Sequence, residues 1–580
     1  MSENNAPSAE KVVPVTEQPP AEGEKGPSKS ALKKAAKEKE KAEKAAKRKA
    51  AEEAQKKEQE SNDVSKEDYG DLGVLGQGSK LPSKDQVPRV SLAQLEKWFQ
   101  DTSKAEEEGG PQVVISSLVV ENARNQSAKL SFLTFSDSNY SIQAVVAASE
   151  TVSRQMVKFS GSVPTESIVQ VHAVVKKPNE PVNSTSIKNL ELHIKKIYVV
   201  SRAISQLPVQ VADARRAVPS EDAPAEQEAS QGERPLVSLN TRLDNRVIDL
   251  RAEQNQAILD IKDGVVRLFQ EFLWARGFKL AQTPKMLGAA TEGGASVFEL
   301  GYFGQKAFLA QSPQFYKQML VSARRKRVME VGPVFRAENS NTARHLTEFT
   351  GLDMEMAFEE DYHEVISLLE ELMLHIFDGL KTQYKTETDL VRTVYNVPEF
   401  KLPEAGKVPR IPFWEAVAML REAGVEIGDY DDFSTPQEKR LGQLVLEKYG
   451  TDFYVVDKYP LEVRPFYTMP SAETLASYDP ANPNKGYTNS YDFFMRGQEI
   501  MSGAQRIHNA EYLEQRMKEH PSHANPKEEG FKDYIDAFRY GCPPHAGGGL
   551  GLERIVMLWL GLPNIRLATT FPRDPGRVRP

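Results

Sequence analysis

Three stretches of the C-terminal half crowd charged side chains together. VGPVFRAENSNTARHLTEFTGLDMEMAF, residues 331–358, carries Arg336, Glu338, Arg344, His345, Glu348, Phe349 and Asp353. YDFFMRGQEIMSGAQRIH, residues 491–508, carries Asp492, Glu499, Ser502 and Arg506. HAGGGLGLERIVMLWLG, residues 545–561, runs glycines into a helix with Arg554 near its start. Guanidinium groups grip anionic oxygens through paired, charge-assisted hydrogen bonds, and carboxylates hold cations. Across a hairpin the same residues also make purely structural ion pairs, but three separate clusters of this kind are more than packing asks for. Familiar nucleotide signatures do not account for them. GGGLGLER at 547–554 lacks the last glycine of G-x-G-x-x-G and follows no strand–helix–strand unit. Gly73 to Lys80 resembles a phosphate loop with Ser79 where lysine is required, and His363-Glu364 has no second histidine at 367. Any ATP chemistry here needs another scaffold.

The elements around these clusters predict an antiparallel sheet flanked by helices, an α+β arrangement. Ile258, Ile261, Val265, Leu268, Phe269 and Phe272 fall at helical spacing within 255–275, and Gly277 stops that helix. Residues 327–337 and 347–358 read as two strands joined by a polar loop, with further strands at 452–456, 490–494 and 499–507. The last helix is expected at 551–560. Upstream, 113–120, 129–135, 141–146, 168–175 and 190–199 alternate like short strands, with a helical piece at 151–159. Five strands with a helix there fit a Greek-key barrel of the OB type, whose face often binds oligonucleotides. Phe132 sits mid-strand, either in the core or as a stacking platform.

A chain of 580 residues calls for several domains. The readings are an extension with linker at 1–90, the OB domain at 91–204, a hinge at 205–240 and a catalytic domain at 241–580. Net charge, 74 − 82 = −8, argues against a wholly basic nucleic-acid coat. Lys33, Lys37, Lys41, Lys44 and Arg48 nonetheless form one basic stripe on a Lys/Ala/Glu helix, either a solvated face or an arm for a phosphate backbone. The single cysteine, Cys542, excludes an internal disulfide framework, and no apolar run approaches a membrane span. With no secretion signal, the expected compartment is the cytoplasm, with no membrane partner.

The three clusters resemble motifs 2 and 3 of class II aminoacyl-tRNA synthetases. FRAENSNTARHLTEFTGLDMEMAF, YDFFMRG, SGAQRIH, RYGCPPHAGGGLGLERIV and FPRDP are close to the forms of aspartyl-tRNA synthetases of the eukaryotic cytoplasmic and archaeal branch, subclass IIb. The resemblance spans about residues 90–580, and the basic arm resembles the tRNA-binding extension of lower-eukaryotic members. It implies an antiparallel catalytic sheet, an OB-type anticodon domain, a hinge between them and a homodimer through motif 1. It also implies a two-step reaction of L-aspartate, ATP and tRNA(Asp) with magnesium. The segment 471–490 is longer than the usual family connection.

Residue roles follow from the same resemblance. Arg336 answers charge growing on the α-phosphate. Phe349 and Arg554 sandwich adenine. Arg344 and His345 meet the outer phosphates, and Glu338, Leu346 and Gly551 complete the ATP site. Asp492, Glu499 and Ser502 supply hard oxygens to magnesium. The substrate ammonium matches Glu292, Gln314 and Asp353, with Ser312 and Ser502 beside it, and the side-chain carboxylate matches Lys317 and Arg506. Catalytic weight falls on Arg336, Arg554 and Glu499, with no protein nucleophile. In the OB domain Phe132 stacks on the anticodon, Gln143 reads its central base and Glu191 lies near its first. Asparaginyl- and lysyl-tRNA synthetases are the nearest rivals. A lysine site wants acids where Lys317 and Arg506 stand, and an asparagine site should lack the TEFTGLDMEM wording. A non-enzymatic RNA-binding relative should lose Arg336, Glu499 or Arg554, and a tRNA-free ligase needs neither OB domain nor basic arm.

Overall fold

The computed structural model describes residues 63–73, 78–102, 110–218, 236–289, 297–404 and 407–580. Lys33, Lys37, Lys41, Lys44, Arg48 and Glu292 lie outside the described residues. The chain falls into two units, 1–205 and 206–580.

The first unit holds β1 (Tyr69–Asp71), α1 (Leu92–Thr102), β2 (Gln112–Ser127), β3 (Leu130–Asp137), β4 (Tyr140–Ala147), α2 (Arg154–Ser160), β5 (Ile168–Lys176) and β6 (Glu191–Ser201). The strand order is β1-β6-β4-β3-β2-β5, and β5 pairs back with β6 to close a barrel. Alternation decides what is inside: Leu133 and Phe135 of β3 and Ile142 and Ala144 of β4 join the core. The helix 151–159 starts late, at Arg154, because Ser153 caps it by accepting from the Met156 amide at 3.1 Å. The linker expected within 1–90 carries structure among its described residues. Tyr69–Asp71 pairs in parallel with β6, and Leu72 and Leu81 are buried against Val114 and Tyr198. A three-residue strand is too short for alternation to reveal.

The second unit is built on one eight-stranded sheet. Its strands are β7 (Lys279–Leu280), β11 (Arg327–Phe335), β12 (Glu348–Ala357), β13 (Arg410–Pro412), β14 (Phe453–Asp457), β15 (Ser490–Met495), β16 (Gln498–Gln505) and β17 (His545–Gly551). A small separate sheet holds β8 (Met286–Leu287), β9 (Glu299–Tyr302) and β10 (Gln305–Leu309). The large sheet runs β13-β14-β15-β16-β17-β12-β11-β7. Helices α3 (Glu253–Ala275), α4 (Gln314–Ser322), α5 (His363–Thr382), α6 (Thr435–Tyr449) and α7 (Leu552–Leu560) pack around it. Leu352, Met354 and Met356 of β12 turn to one face and join a core with α3, α5 and α7. Their alternates, Asp353 and Glu355, turn to the other face, where the site lies. No helix among the described residues is long and apolar enough to cross a membrane.

The glycine run differs from its expected form. Residues 545–551 run into the helix α7 as expected, but they do so as the strand β17, inserted between β12 and β16. Glycine is a poor strand former, so sequence propensity points elsewhere. The neighbours explain its presence. A Cβ on Gly547 would stand 2.3 Å from Glu355 Oε2, and one on Gly549 2.9 Å from Asp353 Oδ1. The bare strand makes room for the carboxylates of β12.

Candidate active site

Register aligns the chemistry in one row across the sheet. Asp353 of β12 faces Gly549 of β17, Gly549 faces Ser502 of β16, and Ser502 faces Asp492 of β15. Directly opposed residues share a face, and Asp353, Gly549 and Ser502 of this row floor a cavity of about 370 Å³. Its walls gather most of the expected set. Ser312, Gln314 and Lys317 line it from α4 and the turn before it. Arg336, Glu338, Arg344, His345, Leu346 and Phe349 line it from the mouth of the β11–β12 hairpin, and Glu499, Arg506, Gly551 and Arg554 from the opposite side.

At one end, Lys317 and Arg506 are both buried, at 3% and 4% exposure. Lys317 Nζ lies 2.9 Å from Asp353 Oδ1 and 3.4 Å from Glu355 Oε2. Arg506 donates through Nε to Glu355 Oε1 at 3.0 Å and through Nη2 to the Gly547 carbonyl at 2.9 Å. Glu355 is thus shared by both cations. Burial opposes its charge, but Arg506 and Lys317 outweigh it and hold the carboxyl below its ordinary range. Behind them His545 Nδ1–H donates to the Pro543 carbonyl at 2.8 Å, and Nε2 accepts from the Gln318 amide at 3.1 Å. Complete burial drives this imidazole down to about 4, so it stays neutral. Because the unfolded chain keeps its histidine near 6.5, native stability falls as pH drops from 6.5 through about 4. The acid loss attributable to this group is on the order of 3 kcal/mol. Thermal midpoints of wild type and His545→Asn against pH should diverge near neutrality and converge toward pH 4; parallel curves would refute it.

At the other end the phosphate-type groups collect. The Arg336 guanidinium sits 5.6 Å from the centroid of the Phe349 ring. Arg554 Nη1 donates to the Glu499 carbonyl at 2.8 Å. Arg344 Nη1 lies 3.1 Å from Glu438 Oε2. His345 Nδ1 is 2.6 Å from Thr342 Oγ1, and burial followed by the charge of Arg344 lowers its pKa.

Asp492 does not line the cavity itself but lies just beneath it, 4% exposed. Its Oδ2 accepts from Arg464 Nη2 at 2.5 Å, while its Oδ1 is buried with no hydrogen-bond partner. Burial and the charge of Asp492 raise the Glu499 carboxyl. An orphaned carboxylate oxygen beside a carboxyl unwilling to ionise suits a hard divalent cation. Among the described residues no three His, Cys, Asp or Glu side chains converge as a metal cage. Two carboxylates fit an ion whose remaining ligands come from substrate phosphates and water.

Among the site residues that carried no role in the sequence reading are Glu355, Glu438 and Arg464. Glu438 comes from α6, whose start is fixed by a Ser434/Gln437 capping box. Burial, and then the charge of Glu499, pushes its carboxyl up to about 7. The Glu355 position could have been found from TGLDMEMAF, where two acids two apart share a face of a strand.

In the barrel, Phe132 is half-buried and outside the core cluster, on the face opposite Leu133 and Phe135. On neighbouring β4 and β6, Gln143 pairs with Glu191, its Nε2 donating to Glu191 Oε2 at 3.2 Å. His193 Nε2 lies 2.7 Å from the other carboxylate oxygen of Glu191.

Residues 238–575 match the family described as tRNA synthetases class II (D, K and N). Residues 113–200 match the OB-fold nucleic acid binding domain. The chain is 47% identical over 520 residues to the human protein named aspartate–tRNA ligase, cytoplasmic, covering 90% of this chain and 96% of that one. The solved aspartyl tRNA synthetase from Entamoeba histolytica superposes with a TM-score of 0.73 at 40% identity, covering 88% of this chain and 96% of that one. An asparaginyl-tRNA synthetase from Pyrococcus horikoshii, complexed with asparaginyl-adenylate, follows with a TM-score of 0.65 at 29% identity, covering 81% of this chain and 96% of that one.

Proposed function

Because this chain belongs to the class II tRNA synthetases, and among them to the aspartate–tRNA ligases, we propose how its residues divide the work of charging tRNA(Asp) with L-aspartate. In the first step an α-carboxylate oxygen of aspartate attacks the α-phosphorus of ATP, and pyrophosphate leaves in line. In the second, a 3′-terminal ribose hydroxyl of the tRNA attacks the acyl carbon and AMP leaves. Neither step needs a protein nucleophile. The residues position reactants and stabilise charge.

Arg336 binds the α-phosphate as charge accumulates on it. Phe349 and Arg554 hold adenine, and Arg344 and His345 hold the outer phosphates. Arg344 exchanges Glu438 for phosphate oxygens, while Glu338, Leu346 and Gly551 complete the ATP cradle. Asp492, Glu499 and Ser502 would hold magnesium, and the chemistry it would supply there is neutralisation of triphosphate charge. Gln314, Asp353 and Glu292 take the substrate ammonium, with Ser312 and Ser502 adjacent. Phe132, Gln143 and Glu191 read the anticodon. The half-buried Phe132 ring, on the face away from the core cluster, supports this, since unstacked bases need an accessible aromatic. The stripe Lys33, Lys37, Lys41, Lys44 and Arg48 holds tRNA backbone. The working form is a cytoplasmic homodimer. Its support is the two-residue edge strand β7 and the exposed side chains of Trp274, Leu280 and Met286 around it. The division into extension, barrel, hinge and catalytic domain belongs to the same reading.

The observation that carries substrate choice is the buried Lys317–Arg506 pair at one end of the cavity. Aspartate and asparagine have nearly equal shape. A carboxylate satisfies two cationic donors, whereas an amide turns its own NH₂ toward them. Pyrophosphate exchange with each amino acid, and charging of tRNA transcripts bearing aspartate or asparagine anticodons, test the reading. Lys317→Met should reduce exchange with aspartate severely and narrow the aspartate-to-asparagine ratio at least about tenfold, one charge-assisted bond being worth roughly 1.5–3 kcal/mol. An unchanged ratio in folded protein would remove Lys317 from substrate reading.

A further inference from the structure

Arg464 occupies a position that none of these roles uses. It precedes Pro465 in the segment joining β14 to β15, and its guanidinium reaches the carboxylate end of the cavity. Nη2 donates to Asp492 Oδ2 at 2.5 Å and Nη1 to Ser502 Oγ at 2.8 Å. These are two of the three oxygens assigned to magnesium. The side chain is 11% exposed and lies with its guanidinium 3.8 Å from the centroid of the buried Tyr459 ring. Its main-chain carbonyl is held by His520 Nε2 at 2.8 Å. A fork stacked and anchored in this way is not a roving surface cation.

Two consequences follow from the geometry. With Oδ2 tied to Arg464, Asp492 has one oxygen left, the buried and partnerless Oδ1. Arg464 thus fixes which oxygen is offered to a cation. The charge balance is also informative. Asp492, Glu499, Asp432 and Glu438 bring four negative charges at most, and Arg464, Arg554, Arg336 and Arg344 stand against them with four positive ones. A bare divalent ion entering here meets no net attraction, whereas an ion arriving with a triphosphate brings its own counter-charge.

We infer that Arg464 is a positioning residue that makes the metal site conditional on nucleotide: it holds the metal-site oxygens with its own positive charge and excludes magnesium that is not accompanied by ATP. The inference rests on the assignment of Asp492 and Glu499 to the metal, and the test separates the two. Mn²⁺ serves as probe, its binding followed by water-proton relaxation, which distinguishes enzyme-bound from nucleotide-bound ion. In wild type with ATP, an enhanced-relaxation ternary complex should form and be lost in Asp492→Asn; failure of this arm overturns the metal assignment itself. Without ATP, wild type should bind Mn²⁺ weakly, and Arg464→Gln should bind it at least about tenfold more tightly. The gain should vanish in the Arg464→Gln/Asp492→Asn double variant. Arg464→Lys, which keeps the charge but can reach only one of the two oxygens, should fall between wild type and Arg464→Gln, and it carries the test if the glutamine variant does not fold. Mn²⁺ binding in the variants that is unchanged or weaker than wild type would show that Arg464 merely braces Asp492, and the inference would fail.

Discussion

Arg336→Ala should lower aspartate-dependent pyrophosphate exchange about a thousandfold or more, with little change in thermal midpoint. Removing one fixed donor from developing transition-state charge typically loses about 10²–10³ in turnover, and a guanidinium adds full charge to geometry. The structure places this arginine for the task. It follows the last residue of β11, and its amide donates to the Thr347 carbonyl at 3.0 Å, so the backbone is pinned at the hairpin mouth. The side chain then reaches into the cavity beside Phe349. Because the charge it answers grows during attack, the loss should fall mainly on kcat and less on the KM for ATP. Arg336→Lys should recover only a minor part, since an ammonium cannot fork across two oxygens. A loss below tenfold in the alanine variant would mean that another group carries the α-phosphate.

Glu355→Gln should damage both folding and choice of substrate. The carboxylate is completely buried and holds Arg506 and Lys317 together. The amide is nearly isosteric but leaves two buried cations against Asp353 alone. Breaking a buried pair in this way costs about 3–5 kcal/mol. Exchange should fall on the order of a hundredfold, as expected when reacting groups are misplaced by about 1 Å. The KM for aspartate should move far more than the KM for ATP, since the ATP end of the cavity does not touch this network. Equal changes in both constants would indicate a general loss of structure. A variant with normal midpoint and normal aspartate dependence would show that Lys317 and Arg506 are held by other means.

The contrast between Arg336 and Glu355 shows what a sequence discloses. Arg336, Glu338 and Phe349 sit in a short hairpin, so local spacing alone brings them together. The barrel strands were equally legible, because alternation writes each one out independently. Glu355, Arg464 and Glu438 acquire meaning only from register between distant segments: Glu355 meets Arg506 151 positions later. Pair partners at such separations leave no periodic trace. The glycine strand failed for a different reason. Its residues suit their neighbours' side chains rather than any intrinsic preference, so propensity pointed away from the structure it adopts. The chain at 471–490 is likewise explained only by its partners: Asn484 Oδ1 and the Pro483 carbonyl accept from the buried Arg516.

That glycine strand also bears on how the catalytic unit assembles as it is synthesised. β12 and β16 are neighbours only through β17, which is made after both. Until it emerges from the ribosome, two long inner edges stand open, each displaying unpaired amides and carbonyls. Glycine contributes the greatest backbone entropy loss on ordering, and the pairing of Gly549 with Asp353 closes a very long loop. The central strand should therefore be a late arrival, and nascent chains stalled before it should depend on chaperones to shield those edges. The residues that clear space for Asp353 and Glu355 in the finished enzyme leave the unfinished one exposed.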